Sequence, residues 1–351
     1  MPAYRIRVGA ARSWPENHVE CCPTNTKRRP PWNRARKKLS GNRPILEGVK
    51  TASQNPTDPI GSGLVIVDKP QGWTSHDVVG RTRRLAGTRK VGHAGTLDPM
   101  ATGVLVLGIN KATRLLTYIV GANKTYTATI RLGESTITDD AEGELVQARI
   151  AAALTEEQIR ESVAKLTGPI EQVPSSVSAI KVNGERSYAR VRAGEEVKLA
   201  ARPVTIHRFE IHQIRRERGG KVQDIDVTVE CSSGTYIRAL ARDLGEDLAV
   251  GGHLTALRRT EVGPYTLNRA RTLEQLAQDF EYLPMEDAAD ALFPRRDLSE
   301  HERSELSFGR RIGVNQSEET TAAFAPDGSL VALLKNKGEN ARPELVFTPA
   351  S

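Results

Sequence analysis

Gly92-His93-Ala94-Gly95-Thr96-Leu97-Asp98-Pro99-Met100-Ala101-Thr102-Gly103, followed by Val104-Leu105-Val106-Leu107-Gly108-Ile109, is the stretch on which the reading of this chain turns. It places one carboxylate and one imidazole in a glycine-punctuated loop just before a short apolar run. Residues 104–109 have the length and continuous apolar character of a buried strand. Loops held by such strands carry function more often than cores do.

Working outward, Leu64-Val65-Ile66-Val67 is a second apolar run, closed by Asp68-Lys69-Pro70. Ser75 is placed to cap a helix whose Val78, Val79, Thr82, Leu85 and Ala86 fall on one stripe, and Gly87 can end it. Downstream, Tyr126, Ala128, Ile130 and Leu132 alternate with Thr127, Thr129 and Arg131, which predicts a strand with Tyr126 on its apolar side. Thr155 and Gln158 form a capping-box pattern that opens a helix to about Leu166. Ile225, Val227, Val229 and Cys231 alternate as a half-buried strand. A helix over 236–248 has Ile237, Leu240, Ala241, Leu244 and Leu248 as its buried stripe, which turns Arg238 and Arg242 elsewhere. Strands and helices are interspersed without regular βαβ alternation. The expected fold is therefore α/β (α+β), a mixed, largely antiparallel sheet flanked by helices. After Pro294, residues 306–314 and a hairpin with Asp327-Gly328 between residues 322–324 and 330–334 indicate a small C-terminal β-rich module.

Composition narrows the function classes. The three cysteines, Cys21, Cys22 and Cys231, suit neither a disulfide framework nor a metal site with paired ligand spacing, so no metal is expected. Apolar runs fall far short of the roughly 20 residues needed to cross a bilayer, and no signal-peptide pattern opens the chain, which points to a cytoplasmic protein without membrane partners. The net charge of +7 is local: residues 1–50 carry 12 Lys+Arg and 3 Asp+Glu, leaving −2 for the rest. Residues 1–58 show no sustained period and read as a disordered basic tail. Any RNA site on the body must be a local basic groove, since overall charge does not provide it.

Read whole, the segment from Gly92 to Ile109 resembles the signature of the TruB-type tRNA pseudouridine-55 synthases. GLVIVDKPQGWTSHDVV, residues 63–79, resembles their first motif. Lys124-Thr125-Tyr126-Thr127-Ala128 is similar to the family's K-x-Y-x-A strand, and Gly234-Thr235-Tyr236-Ile237-Arg238 to its G-T-Y-I-R turn. Residues 172–197 are similar to the insert that grips the tRNA T-loop in this family. The four motifs stand in the family's order, and the similarity spans about 63–293.

The resemblance implies a pseudouridine-synthase domain over 59–294 and a PUA-like RNA-binding module over 295–351, shorter than the PUA domain of many members. It implies isomerisation of uridine 55 in the tRNA T-loop, with base flipping and no cofactor, by a monomer that needs no guide RNA. Asp98 would be the catalytic carboxylate, acting on the sugar directly or by a glycal route. Arg238 would pair with Asp98 and aim it, Tyr126 would stack on the uracil near C5, and Tyr236 and Leu257 would complete the pocket wall. His93 would fill the space the flipped base leaves, and Lys69, Arg114 and Lys181 would contact phosphates. Two other readings compete: a non-catalytic RNA-binding helper, which the presence of Asp98 disfavours, and a guide-dependent synthase, which the insert at 172–197 disfavours.

Overall fold

The computed structural model describes residues 60–175 and 199–349, together with the backbone of 50–51, 181–182 and 185–186. The described residues fall within one compact unit, Leu46–Ser351. Most of the expected tail, and most of the expected T-loop insert at 172–197, lie outside them.

An eleven-stranded sheet among the described residues carries the fold. From edge to edge run Lys50–Thr51, Glu281–Pro284, Gly63–Lys69, Thr102–Ile109, Gly252–Val262, Lys124–Leu132, Val222–Cys231, Arg202–Glu217 and Gly168–Gln172. Val91–His93 and Tyr265–Thr266 pair beside this path. All neighbours are antiparallel except Gly252–Val262 against Thr102–Ile109, where Arg258 and Arg259 lie beside Thr102 and Gly103. That approach demands glycine: Gly103 has φ of +103°, and a Cβ there would lie 2.1 Å from the Arg259 carbonyl oxygen. The mixed, largely antiparallel α/β expectation holds. Lys50–Thr51 corrects the tail expectation at two residues, since it pairs with Tyr282 and Glu281. Open backbone groups at a sheet edge accept a strand whatever its side chains.

Local rules account for the elements that flank the motifs. Thr74, not Ser75, caps the helix Ser75–Leu85: its hydroxyl accepts from the Asp77 N–H, and the Asp77 carboxylate accepts from the Thr74 N–H. Ser75 is thereby freed for another task. Its buried Oγ accepts from the Leu97 N–H at 2.9 Å and donates to the Leu97 carbonyl at 3.2 Å, pinning the loop that ends in Asp98. The Thr155–Gln158 capping box opens the helix Glu156–Lys165 as expected.

Val222–Cys231 is buried on both faces, not one. Its polar residues are covered because they are paired. Asp224 takes a bidentate contact from Arg131 at 2.7 and 2.8 Å, and Asp226 accepts from Thr129 and Arg215.

In the C-terminal region the expected hairpin forms from Thr321–Phe324 and Leu330–Lys337, with Gly328 in the turn at φ of +81°. It sits in a five-stranded sheet. Residues 306–314 hold the end of the helix Glu300–Ser307 and the short strand Ile312–Gly313. Packing is continuous across residues 294–295, since Phe324, Leu330, Leu333 and Phe347 share one apolar cluster with Leu64, Val104, Leu115 and Ile119. Truncating the buried Phe324 to alanine at this seam costs about 3–5 kcal/mol.

Candidate active site

A cavity of about 290 Å³ opens where three of the quoted motifs meet. The loop Gly95 to Asp98 forms one wall, Lys124 and Tyr126 a second, residues 233–238 a third, and Leu257 with Arg259 close it. Asp98, Tyr126, Tyr236, Arg238 and Leu257 thus come from four chain segments to one space.

Arg238 Nε donates to Asp98 Oδ2 at 2.9 Å. The arginine side chain is only 6% exposed while the carboxylate is 34% exposed, so the pair presents a carboxylate to the cavity on a buried cation. Arg238 does lie off the apolar stripe of the helix Ile237–Asp247, yet it is buried, because it enters a polar cradle instead of leaving the protein. Its Nη1 donates to the Thr138 carbonyl at 2.9 Å, and Asp140 Oδ2 stands 3.6 Å from Nε. Two carboxylates and a carbonyl therefore offset the desolvation of one guanidinium. The Thr138–Asp140 segment was not singled out in the sequence. Its Thr-Asp-Asp letters carry the signal of an ordinary turn.

Tyr126 is buried, and burial pushes its phenol above the usual range, with the nearby Arg259 guanidinium opposing. The phenol is thus protonated at neutral pH. Tyr236, the residue before the helix, is held by its backbone: its N–H donates to Gln172 Oε1 at 2.8 Å and its carbonyl accepts from Gln172 Nε2 at 3.1 Å. Gln172 is buried and was not anticipated as a site residue. Arg259, 1% exposed, backs the motif loop: Nε donates to the Val104 carbonyl at 2.7 Å, and its Nη atoms reach the Thr96 and Gly95 carbonyls at 3.4 Å. Lys124 donates to the Val120 and Ala122 carbonyls, both at 2.6 Å, and burial lowers its pKa to about 8.

Residues 83–237 match the TruB family pseudouridylate synthase N-terminal domain. Residues 238–295 match the tRNA pseudouridylate synthase B C-terminal domain, and residues 293–348 match the domain described as tRNA pseudouridine synthase II, C terminal. A protein of Arthrobacter sp. (strain FB24) named tRNA pseudouridine synthase B is 75% identical over 299 residues, covering 83% of this chain and 98% of that protein. Its namesake in Thermobifida fusca (strain YX) is 57% identical over 287 residues, covering 81% and 98%. The chain belongs to the TruB family. Among solved structures, a Cbf5-Nop10-Gar1 complex matches this TruB chain with a TM-score of 0.61 and 26% identity, covering 82% of this chain and 85% of that one.

Of the other expected site residues of the TruB chain, His93, Lys69 and Arg114 fall outside the cavity wall. His93 is half-buried on Val91–His93, edge-on to His76 with ring centroids 5.9 Å apart. Burial lowers its pKa, which keeps the ring neutral. Lys69 corrects the phosphate-contact expectation. It is fully buried, and its Nζ donates to the carbonyls of Trp73 at 2.7 Å, Pro70 at 3.0 Å and Pro99 at 3.2 Å. All three ammonium hydrogens are used inside the protein. Burial lowers its pKa to about 8, with Asp98 opposing. Arg114 is exposed, but it faces the C-terminal region, where it donates to the Val346 carbonyl and lies 5.1 Å from the Phe347 ring centroid. The Lys181 side chain lies outside the described residues. Among the described residues, no three His, Cys, Asp or Glu side chains group as metal ligands, and no helix is long and apolar enough to cross a membrane.

Proposed function

We propose that this TruB-family chain isomerises uridine 55 of tRNA to pseudouridine with Asp98 as the catalytic carboxylate. One observation carries the reading: a part-exposed carboxylate, ion-paired to a buried arginine, in a cavity whose facing wall holds a buried tyrosine. The reaction breaks the N1–C1′ bond, turns the uracil over, forms a C5–C1′ bond and moves the C5 proton to N1. Atoms and electrons balance within the substrate, so the chemistry requires no redox partner or group donor.

Asp98 engages the ribose, either as nucleophile at C1′ or as the base that starts a glycal route. Arg238 fixes the carboxylate in advance, so the site does not reorganise when substrate arrives. Tyr126 stacks on the uracil and stands at C5, while Tyr236 and Leu257 close the pocket. Extruding the base costs a few kcal/mol, which the pocket contacts and the neutral His93 ring in the vacated space offset. The C-terminal region serves as a PUA-like RNA-binding module, and Arg114 and Lys181 add phosphate contacts. The enzyme acts in the cytoplasm as a monomer without guide RNA. The similarity of residues 172–197 to the family's T-loop-gripping insert supports action without a guide, and the names of the high-identity relatives support tRNA as the substrate.

The test is to incubate the purified protein alone with an unmodified tRNA transcript and map pseudouridine along it. Product confined to position 55, in EDTA that leaves the tRNA folded, is expected. No product, product elsewhere, or product only after a guide RNA is added overturns the proposal.

A further inference from the structure

We infer that Asp139 is a positioning residue for the Asp98–Arg238 pair, an inference that rests on the function proposed above. Asp139 lies between the two residues that cradle Arg238: the Thr138 carbonyl accepts from Arg238 Nη1, and the Asp140 carboxylate faces Nε. It takes a left-handed backbone, φ +59°, which an L residue with a side chain rarely adopts unless its surroundings impose it.

Those surroundings are specific. Asp139 is buried, its Oδ2 accepts from the buried Ser175 hydroxyl at 2.6 Å, and Arg242 Nη1 stands 3.6 Å from the same oxygen. Its carbonyl accepts from the Leu254 N–H at 3.0 Å, on the strand that also supplies Leu257 and Arg259. Arg242 follows Arg238 by four residues on one helix, so both guanidiniums leave the same face. The first reaches Asp98 and Asp140; the second reaches Asp139, Asp243 and, at 2.8 Å, the Val173 carbonyl. Asp139 therefore locks three things together: the turn that cradles Arg238, the helix that carries Arg238, and residues 173–175. Letting its backbone relax rotates the Thr138 carbonyl and swings Asp140, and the guanidinium then loses the aim that holds Asp98 towards the cavity.

The test compares the wild type with Asp139→Ala, Asp139→Asn and Ser175→Ala by single-turnover rate at saturating enzyme, tRNA affinity and Tm. Asp139→Ala removes the acceptor and keeps a Cβ in the left-handed region, so the rate falls roughly 10- to 100-fold, in the range a displacement of about 1 Å produces. tRNA affinity stays within about threefold, because Asp139, Ser175 and Arg238 are buried and do not present a charge to the phosphate backbone. Asp139→Asn keeps an acceptor for Ser175 and a side chain that tolerates this backbone, and it restores most of the rate. A lowered Tm with an unchanged rate at temperatures where the variant is folded reduces Asp139 to a structural role and overturns the inference. Should Asp139→Ala not fold, Ser175→Ala decides: a several-fold loss of rate supports the inference and wild-type turnover contradicts it. A wild-type protein that forms no pseudouridine overturns the parent proposal and this inference with it, whereas an active wild type with equally active variants overturns the inference alone.

Discussion

Two groups of buried cations flank the cavity, and they end differently. On one side Arg238 meets two carboxylates, Asp98 at 2.9 Å and Asp140 at 3.6 Å, besides the Thr138 carbonyl at 2.9 Å. On the other, Lys69, Lys124 and Arg259 end on main-chain carbonyls. A carbonyl-bound cation ties backbone to backbone: Lys69 joins residues 70 and 73 to Pro99, and Arg259 joins the motif loop to the neighbouring strand. A carboxylate-bound cation orients a charged group that still has a free face. The comparison assigns chemistry to the first group and scaffolding to the second, although all four residues are basic and lie in or near motifs.

Predictions that break or sharpen this contrast begin with Arg238→Met. It leaves Asp98 without its aligning donor, and single-turnover rate should fall roughly 10²- to 10³-fold, the scale of losing one preorganised electrostatic contact. tRNA affinity should change little. Wild-type rate in a folded variant would erase the distinction between the groups.

Tyr126→Phe comes next. The ring still stacks, so tRNA binding should persist, while a phenol that takes part in removing the C5 proton predicts a rate loss of roughly 10²-fold. A C5-deuterium isotope effect that appears or grows in the variant would support that role. An unchanged rate would leave the ring as a platform only.

Lys69→Met tests the scaffolding side. It strands three carbonyls in a buried position, each at about 1–3 kcal/mol, so Tm should drop clearly. The salt dependence of tRNA affinity should not move. A loss of roughly 0.7–0.9 from the slope of log affinity against log salt would mean that Lys69 touches a phosphate after all. Arg114→Ala should have the smallest effect, at most a few-fold in affinity, since the exposed guanidinium already makes contacts within the protein.

The same contrast explains what was legible beforehand. Period and turn chemistry are local, so the apolar strands, the Tyr126 alternation, the Thr155 capping box and the Asp327-Gly328 hairpin could all be read from a few neighbouring letters. The meeting of Asp98, Tyr126, Tyr236, Arg238 and Leu257 came from motif resemblance, and the cavity unites them. The Arg238–Asp98 pair, 140 residues apart, also came from the resemblance. The carbonyl partners of Lys69 and Arg259 were not legible, because the deciding ones lie far away in sequence: Lys69 meets Pro99 across 30 residues and Arg259 meets Val104 across 155. Thr138, Asp139 and Asp140 look like a turn until Arg238 arrives from another element. Thr74 and Ser75 are both competent caps, and only the position of Leu97 shows why the first takes that task and the second pins the loop.

The central claim is that Asp98 supplies chemistry and not binding, and Asp98→Asn tests it most directly. Asparagine keeps the size and an acceptor for Arg238 but removes the charge. Single-turnover assays at saturating enzyme, alongside tRNA affinity measured in the same buffer, should give no detectable pseudouridine with affinity within a few-fold of wild type. Turnover at the wild-type rate, or lost activity explained entirely by lost binding, would contradict the account.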